Sequence, residues 1–234
     1  MKTILFKLFY LNPLSIQQAK KENFYHKNSL IIVKLNFQKE KGELMKNVLL
    51  PIARGFEEIE LVSVADILRR AGVRVVVASL DSHKRVLGAH HIVIEADSVL
   101  PELEYADFHA IVLAGGYVGM QNLANNELIK LWLTTFKQEQ KLIAAICASP
   151  IVLDKAGVLE GEFTCYPGCE AEMSNKNRKD TAVVKSGNIL TSTAPATASV
   201  FALEIVRELC GNEKVEALAN ELCFPTLKAH LASL

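Results

Sequence analysis

From Asn47 onwards, short apolar runs alternate along the chain with segments whose apolar residues recur at helical spacing. The runs predict buried β-strands and the periodic segments predict α-helices. The predicted strands cover residues 47–52, 73–79, 110–114, 141–146, 162–165, 182–185 and 189–191, with 91–95 as one arm of a hairpin. The predicted helices cover residues 58–71, 127–138, 149–156, 198–210 and 212–222. Because strands that alternate with helices are joined by right-handed crossovers, the pattern predicts an α/β three-layer sandwich with a mostly parallel sheet.

The segment 1–44 differs in character from the rest of the chain, because it mixes short apolar runs with lysines and asparagines and has no sustained period. Lys7 interrupts its first apolar run, which is too short to span a bilayer. We therefore expect an N-terminal extension over 1–44, one domain over 45–225 and a C-terminal tail over 226–234. Since Met45 comes directly before the first strand, we hypothesise that translation starts there and that the extension is untranslated or poorly ordered.

The charge balance and the cysteine content argue against several classes of protein. Lysine plus arginine and aspartate plus glutamate each number 26, so nothing favours binding to nucleic acids or to a membrane surface. The five cysteines form an odd set without zinc-finger spacing, which favours a cytoplasmic location over a secreted disulfide framework. The sequence has neither a GxGxxG fingerprint nor a Walker-type phosphate loop, so we expect no cofactor.

The sequence KLIAAICASP places Cys147 at a corner between a predicted strand and a predicted helix. A nucleophile on such a turn is exposed at the carboxyl edge of the sheet. Its sulfur would also lie near the positive end of the following helix, which lowers the pKa of a thiol. The alternative is that Cys147 is a small buried hydrophobic residue, as free cysteines commonly are.

Two further strand-end loops should meet Cys147 at the same edge of the sheet. Glu60 follows the first strand, and a carboxyl group there would stay protonated beside a thiolate and donate a hydrogen bond to it. Gly115 and Gly116 follow another strand, and their N–H groups, with that of Ala148, could form an anion pocket. The alternatives are a favourable charge on the helix dipole for Glu60 and a simple strand-ending turn for the glycines.

The chain has no histidine where a cysteine hydrolase would need its base. The stretch 162–197, which follows the nucleophile, contains none. The histidines lie elsewhere, at His26, His83, His90, His91, His109 and His230. Ordinary Cys–His catalysis is therefore not expected.

A second pair of cysteines, Cys165 and Cys169, flanks the turn-forming residues of the sequence CYPGC. Two thiols without nearby histidine ligands make an incomplete zinc site. We interpret both as loop or core cysteines and expect no metal.

Taken together, the segments GFEEIE, LAGG, AAIC, CYPG and LTSTAPATA resemble the ThiJ/PfpI family, and within it the YajL-like subgroup that includes the human parkinsonism-associated deglycase. The resemblance covers nearly everything from Met45 to about Cys223. It implies a flavodoxin-like sandwich, related to the class I glutamine amidotransferases, and a homodimer. It also implies that Cys147 is a readily oxidised nucleophile with Glu60 as its carboxyl partner, and that Gly115 and Gly116 belong to the anion pocket.

Several positions expected to line the pocket depart from the pattern of that subgroup. Tyr166 stands where the human relative has a histidine, and His90 stands where an arginine usually reaches toward the partner subunit's site. Thr193 lies in a stretch that is usually richer in glycine, and Ser149 replaces a common glycine. These departures leave the preferred substrate open.

Two functions follow from the resemblance. In the first, the protein is a cysteine-nucleophile enzyme of the glyoxalase or deglycase type, which acts on methylglyoxal, glyoxal or their protein adducts, with Glu60 moving the proton. In the second, it is a redox-sensing chaperone regulated by oxidation of Cys147, without physiological turnover. The expected partners are a small electrophilic carbonyl compound or a glycated protein, and a second copy of the chain.

Overall fold

The computed structural model describes residues 45–233, and all statements about structure refer to that range. Its strands are β1 (Asn47–Ile52), β2 (Arg74–Ser79), β3 (Arg85–Leu87), β4 (Val93–Glu95), β5 (Ser98–Val99), β6 (Ala110–Leu113), β7 (Leu142–Ile146), β8 (Val183–Ser186) and β9 (Ile189–Ser192). Its helices are α1 (Glu58–Arg70), α2 (Tyr117–Ala124), α3 (Glu127–Gln138), α4 (Pro150–Lys155), α5 (Ala198–Cys210), α6 (Asn212–Glu221) and α7 (Phe224–Leu231).

Seven of the strands form one sheet in the order β5-β2-β1-β6-β7-β9-β8, and β3 and β4 form a separate antiparallel hairpin. All neighbours in the large sheet are parallel except β8 and β9, which are joined through a tight turn at Gly187. The predicted α/β class with a mostly parallel sheet is therefore confirmed.

Helices cover both faces of the sheet because the central strands are apolar on both sides. In β7, Ala144 and Ile146 face one core, which also contains residues of α1, α5 and α6. Ile143 and Ala145 face the other, which contains residues of α2, α3 and α4. Strands that are buried on both faces consist of continuous apolar residues, which is why these strands could be predicted from the sequence.

The main disagreement with the predicted strands is at 162–165, which is not part of the sheet. Phe163 forms only an isolated bridge with Arg178, and the N–H of Thr164 donates to the side-chain oxygen of Thr191 at 2.9 Å. A main-chain group that is bonded to a side chain cannot continue a ladder between strands, so the segment runs as a loop.

The short edge strand β5 and the helices α2 and α7 were not predicted, and β3, the second arm of the hairpin, had no predicted range. Helix α2 contains Gly119, and glycine lowers helix propensity by about 1 kcal/mol relative to alanine. Helix α7 crosses the expected boundary at residue 225, so part of the expected tail is helical. The expected N-terminal extension lies outside the described residues.

Within residues 45–233, no helix combines the length and the apolar character that crossing a membrane requires.

Candidate active site

The strands β1, β6 and β7 lie side by side, and their carboxyl ends bring three loops to one edge of the sheet. Cys147 follows β7 directly, Gly115 follows β6, and Glu60 lies in the first turn of the helix after β1. Ligands of open parallel sheets bind at this edge. The topology therefore places the predicted nucleophile, carboxyl group and glycines together.

Cys147 adopts a positive φ of 64°, a conformation that residues with side chains seldom occupy. The surrounding bonds hold it there: its N–H donates to the Ser192 carbonyl at 3.0 Å, and its own carbonyl accepts from the N–H of Tyr166 at 2.9 Å. The buried Ser149 hydroxyl ties the same turn to the end of β6 by donating to the Ala114 carbonyl at 2.6 Å. This is the geometry of a nucleophile elbow.

Glu60 is fully buried and faces the elbow. Its Oε2 accepts a 2.6 Å hydrogen bond from the N–H of Gly115, whereas its buried Oε1 has no hydrogen bond of good geometry to any described residue. Burial raises the pKa of Glu60 to about 7, although the Gly115 N–H and the neighbouring Cys147 thiol act in the opposite direction. At neutral pH this carboxyl group is therefore poised to gain or lose a proton.

The pKa of the Cys147 thiol is raised well above its usual range, opposite to the expected direction. Burial is the main cause, and the negative charge of Glu60 and its hydrogen bond with the thiol add to it. The N–H groups of Gly116 and Ala148, which face the sulfur, lower the pKa but do not compensate. The pKa of the thiol is raised even though α4 begins three residues after Cys147.

Cys147 and Glu60 therefore form a pair that shares a proton. With one proton on the pair, the form with a neutral thiol and an ionised Glu60 carboxylate is favoured over a thiolate with a protonated acid. Glu60 can take the proton as the sulfur attacks an electrophile. In this arrangement the carboxylate is a proton acceptor before it is a donor.

Two glycines allow the backbone to come this close. A Cβ atom on Gly115 would lie 2.7 Å from Cys147 Cβ and 2.7 Å from Glu60 Oε2, so any side chain there would separate the pair. Gly116 has a φ of 86°, and a Cβ there would overlap the Gly55 carbonyl. The N–H of Gly115 is used by Glu60, so the N–H groups that face the sulfur belong to Gly116 and Ala148.

Glu57 fixes the orientation of Glu60, a role that the sequence analysis missed. Its Oε2 accepts a 2.8 Å hydrogen bond from the N–H of Glu60, and its own N–H donates to the Gly115 carbonyl at 3.0 Å. It caps the amino end of α1. The spacing of two glutamates three residues apart, at the start of an apolar helix, is the signal that could have revealed it.

Within one copy of the chain, His90 contacts the first turn of α1. Its Nδ1 lies 2.8 Å from Glu58 Oε2, while 71% of its side chain is exposed. The hydrogen bond with Glu58 raises the pKa of His90. Since Glu58 holds the imidazole, His90 anchors the loop after β3 to the start of α1, and no described contact joins it to the sulfur.

Tyr166 and Thr193 border the elbow through different groups. Tyr166 contributes its main-chain N–H, and its ring is about half exposed. The hydroxyl of Thr193 contacts that of Thr164 at 3.0 Å and also donates to the carbonyl of Thr181. Neither side chain contacts the sulfur by a described hydrogen bond.

No imidazole contributes to the pKa shift of Cys147 within the described residues. His109 lies at the opposite end of the sheet, where its Nδ1 accepts the N–H of Asn47 at 3.1 Å. The residues that surround the sulfur therefore suit carboxyl-assisted chemistry, not a Cys–His dyad.

One group of side chains within 45–233 has the proximity needed to hold a metal ion, namely Glu57, Glu58 and His90, whose ligand atoms lie within 4.8 Å of one another. Glu58 already accepts hydrogen bonds from both the N–H and the ring of His90. Glu57 already caps α1. A cation would have to break these bonds, so the group is explained by its structural contacts.

Comparison with known proteins gives a consistent result. The profile of the DJ-1/PfpI family matches residues 46–208. The Drosophila melanogaster protein dj-1beta is 39% identical over 182 residues, which cover 76% of this chain and 97% of the relative. The glutathione-independent glyoxalase DJR-1.2 of Caenorhabditis elegans is 36% identical over 171 residues, with 71% of this chain and 90% of the relative covered.

Solved structures agree with these matches. The crystal structure of Drosophila melanogaster DJ-1beta superimposes with a TM-score of 0.73 over 77% of this chain and 98% of that one, at 39% identity. Oxidised DJ-1 of Toxoplasma gondii gives a TM-score of 0.73 at 36% identity, over 76% of this chain and 98% of that one.

Proposed function

This chain belongs to the DJ-1/PfpI family, and we propose that it is a cysteine-dependent stress-response protein that converts reactive carbonyl compounds such as methylglyoxal, glyoxal and their protein adducts. The observation that carries the proposal is the proton-sharing pair of Cys147 and Glu60 at a nucleophile elbow. A relative with 36% identity is named a glutathione-independent glyoxalase, which supports the same chemistry.

In the proposed reaction the sulfur of Cys147 adds to the aldehyde carbon of methylglyoxal while Glu60 takes the thiol proton. The carbonyl oxygen becomes an oxyanion, which the N–H groups of Gly116 and Ala148 can stabilise. Glu60 then returns the proton to the oxyanion, and the product is a hemithioacetal, in which one carbon–sulfur bond has formed and the carbon–oxygen double bond has become a single bond.

Glu60 then moves a proton from the former aldehyde carbon to the neighbouring carbon while the hydroxyl proton passes to the neighbouring oxygen, which converts the hemithioacetal into a thioester of lactate. Water cleaves the thioester, releases lactate and restores the thiol. One methylglyoxal and one water give one lactate, with no net oxidation. A pKa of about 7 suits Glu60 to both accept and return protons near neutral pH.

The direct test is lactate formation from methylglyoxal by the full chain and by the Cys147→Ser variant. We expect the variant to lose activity by on the order of a thousandfold or more. The matched control is Cys223→Ser, because Cys223 is an exposed thiol at the start of α7. Equal lactate formation by wild type and Cys147→Ser would overturn the proposal.

A second candidate function, a chaperone regulated by oxidation of Cys147, is favoured by the groups around the sulfur. The Gly116 and Ala148 N–H groups can bind the oxygens of a cysteine sulfinate, and Glu60 can donate a hydrogen bond to it when protonated. Two equivalents of hydrogen peroxide would each deliver one oxygen to the sulfur and leave as water. A solved relative is described as oxidised.

This candidate is separated from the first by intact-mass measurement and an aggregation assay. We expect mild peroxide to add two oxygens to wild type but not to Cys147→Ser. Oxidised protein should then suppress aggregation of an unfolded client protein better than reduced protein does. Equal suppression by both forms would count against regulation by Cys147. The homodimer implied by the family resemblance and the cytoplasmic location indicated by the cysteine content stay predictions.

A further inference from the structure

The segment Cys165–Cys169, which we call the CYPGC turn, brings a second pair of thiols together. The N–H of Cys169 donates to the Tyr166 carbonyl at 3.0 Å, and Gly168 has a φ of 96°. With Pro167 before Gly168, this is the geometry of a type II β-turn, which reverses the chain between the two cysteines. Cys169 is thereby folded back toward Cys165.

One carboxylate links both sides of the turn. Glu170 Oε2 accepts the N–H of Gly168 at 2.8 Å and lies 3.8 Å from the sulfur of Cys165. The carboxylate that contacts Cys165 therefore belongs to the residue directly after Cys169 and is bonded by the residue directly before it. Cys165 is fully buried, whereas Cys169 is only partly buried, so a small reagent can reach the second thiol first.

The electrostatics of the two thiols are consistent with the geometry of the turn. Burial raises the pKa of Cys165 to about 11, and the next largest cause is Cys169, ahead of the Glu170 carboxylate. A charge on Cys169 therefore acts on Cys165 across the turn, in keeping with the chain reversal. Arg178 opposes these effects and lowers the pKa of both thiols.

We propose that Cys165 and Cys169 form a reversible dithiol–disulfide couple that is oxidised by hydroperoxides, separately from Cys147. Cys169 first gives up two electrons to hydrogen peroxide, takes one oxygen as a sulfenic acid and releases one water. The thiol of Cys165 then attacks that sulfur, a sulfur–sulfur bond forms, and the hydroxyl group leaves as a second water. A small thiol such as glutathione can reverse the bond by exchange.

The position of the turn gives the couple a route to the active site. The N–H of Tyr166 donates to the Cys147 carbonyl at 2.9 Å, within the turn itself. Just beyond the turn, Glu172 accepts a 2.9 Å hydrogen bond from the hydroxyl of Tyr117, the residue after Gly116. Closing the disulfide therefore acts on segments that hold both the elbow and the anion pocket.

The sequence allows this couple to be observed separately from Cys147. Trypsin releases Cys147 in the peptide 142–155, and Cys165 with Cys169 in the peptide 156–176. After treatment of the full chain with hydrogen peroxide and blocking of free thiols, we expect peptide 156–176 to lose two hydrogens and to gain no blocking groups. Subsequent reduction should restore both sites. The same result is expected in Cys147→Ser, so failure of the proposed function would not affect it.

The rate of disulfide formation should follow the fraction of thiolate. Because burial raises both thiol pKa values, the rate should rise by about tenfold per pH unit near neutral pH. Arg178→Gln should slow it about threefold to tenfold, while Arg178→Lys should preserve most of it. The matched control is Lys179→Gln, which removes a neighbouring positive charge that pairs with Glu162 instead.

The outcomes separate the alternatives. Cys169→Ser should abolish the loss of hydrogens in peptide 156–176 without preventing folding, because Cys169 is only partly buried. Irreversible addition of oxygens to Cys169, a cross-link between peptides 142–155 and 156–176, or unchanged thiols would each overturn the proposal. A rate that does not change with pH or with Arg178→Gln would overturn the assigned role of the thiolate.

Discussion

The elbow at Cys147 and the CYPGC turn each place a thiol beside a carboxyl group, yet the two carboxyl groups are shifted in opposite directions. Burial raises the pKa of Glu60 to about 7. The pKa of Glu170 is lowered, first by its own N–H and also by the Gly168 N–H and the Arg178 guanidinium. Glu60 is fully buried without a cation, whereas Glu170 is partly exposed and paired with one.

This difference shows that the pKa of a thiol does not by itself reveal its chemistry. Burial raises the pKa of both Cys147 and Cys165. At the elbow, the neighbouring carboxyl group can accept and return a proton near neutral pH, which suits turnover. At the turn, Glu170 stays ionised and is a poor proton acceptor. The expected reaction there is therefore between the two thiols, Cys165 and Cys169.

The largest expected effect follows from replacing the two carboxyl groups in turn. Glu60→Gln should lower glyoxalase activity by about a hundredfold to ten-thousandfold, because an amide cannot take the proton of the thiol. Glu170→Gln, the matched control at the other thiol, should stay within about threefold of wild type, because Glu170 does not contact Cys147. The measurement is kcat/KM for methylglyoxal, and similar losses in both variants would remove the distinction between the two sites.

A second prediction concerns how the stability of the fold depends on pH. The folded-state pKa of Glu60, about 7, exceeds its unfolded value of 4.5, so folding favours the protonated form and stability falls as the pH rises from 4.5 to 7. The ionised, buried carboxylate then costs about 3 kcal/mol, calculated at about 1.4 kcal/mol per pKa unit. Glu60→Gln should remove this loss. The free energy of unfolding of Glu60→Gln minus that of wild type should therefore increase by about 3 kcal/mol from about pH 4 to about pH 8.

Chemical denaturation at both pH values measures that gain. Glu170→Gln should show no such gain, because the pKa of Glu170 is shifted in the opposite direction. A difference between wild type and Glu60→Gln that is the same at both pH values would mean that Glu60 is not the buried titrating group.

The smallest effect is expected at Tyr166, which belongs to the CYPGC turn and contacts the elbow. Its contact with the elbow is made by the main-chain N–H, and its ring is about half exposed. Tyr166→Phe keeps that N–H and removes only the hydroxyl, so both kcat/KM and the rate of disulfide formation should change by less than about twofold. A larger loss of lactate formation would assign the phenol a direct part in the reaction.

Much of the fold could be predicted because its signals are local. The strand over 47–52 and the helices over 127–138 and 198–210 have the bounds that their apolar patterns predicted. The corner at Cys147 could likewise be located, since an apolar run ends abruptly there. Local patterning could not reveal that 162–165 pairs with residues 177–179 through a bridge and loop bonds, because those partners carry no strand pattern.

The sequence by itself determined the α/β sandwich, the family and the positions of Cys147, Glu60 and the glycines, because each depends on neighbouring residues or on short motifs. Only the tertiary structure decided the protonation of the site. The expected lowering of the thiol pKa reversed because it depends on loss of solvent and on a carboxyl group from helix α1, which is distant in the sequence. Of the three predicted donors, Gly116 and Ala148 face the sulfur whereas Gly115 bonds Glu60, and this difference has the same origin. Burial and long-range contacts exist only once the chain has folded.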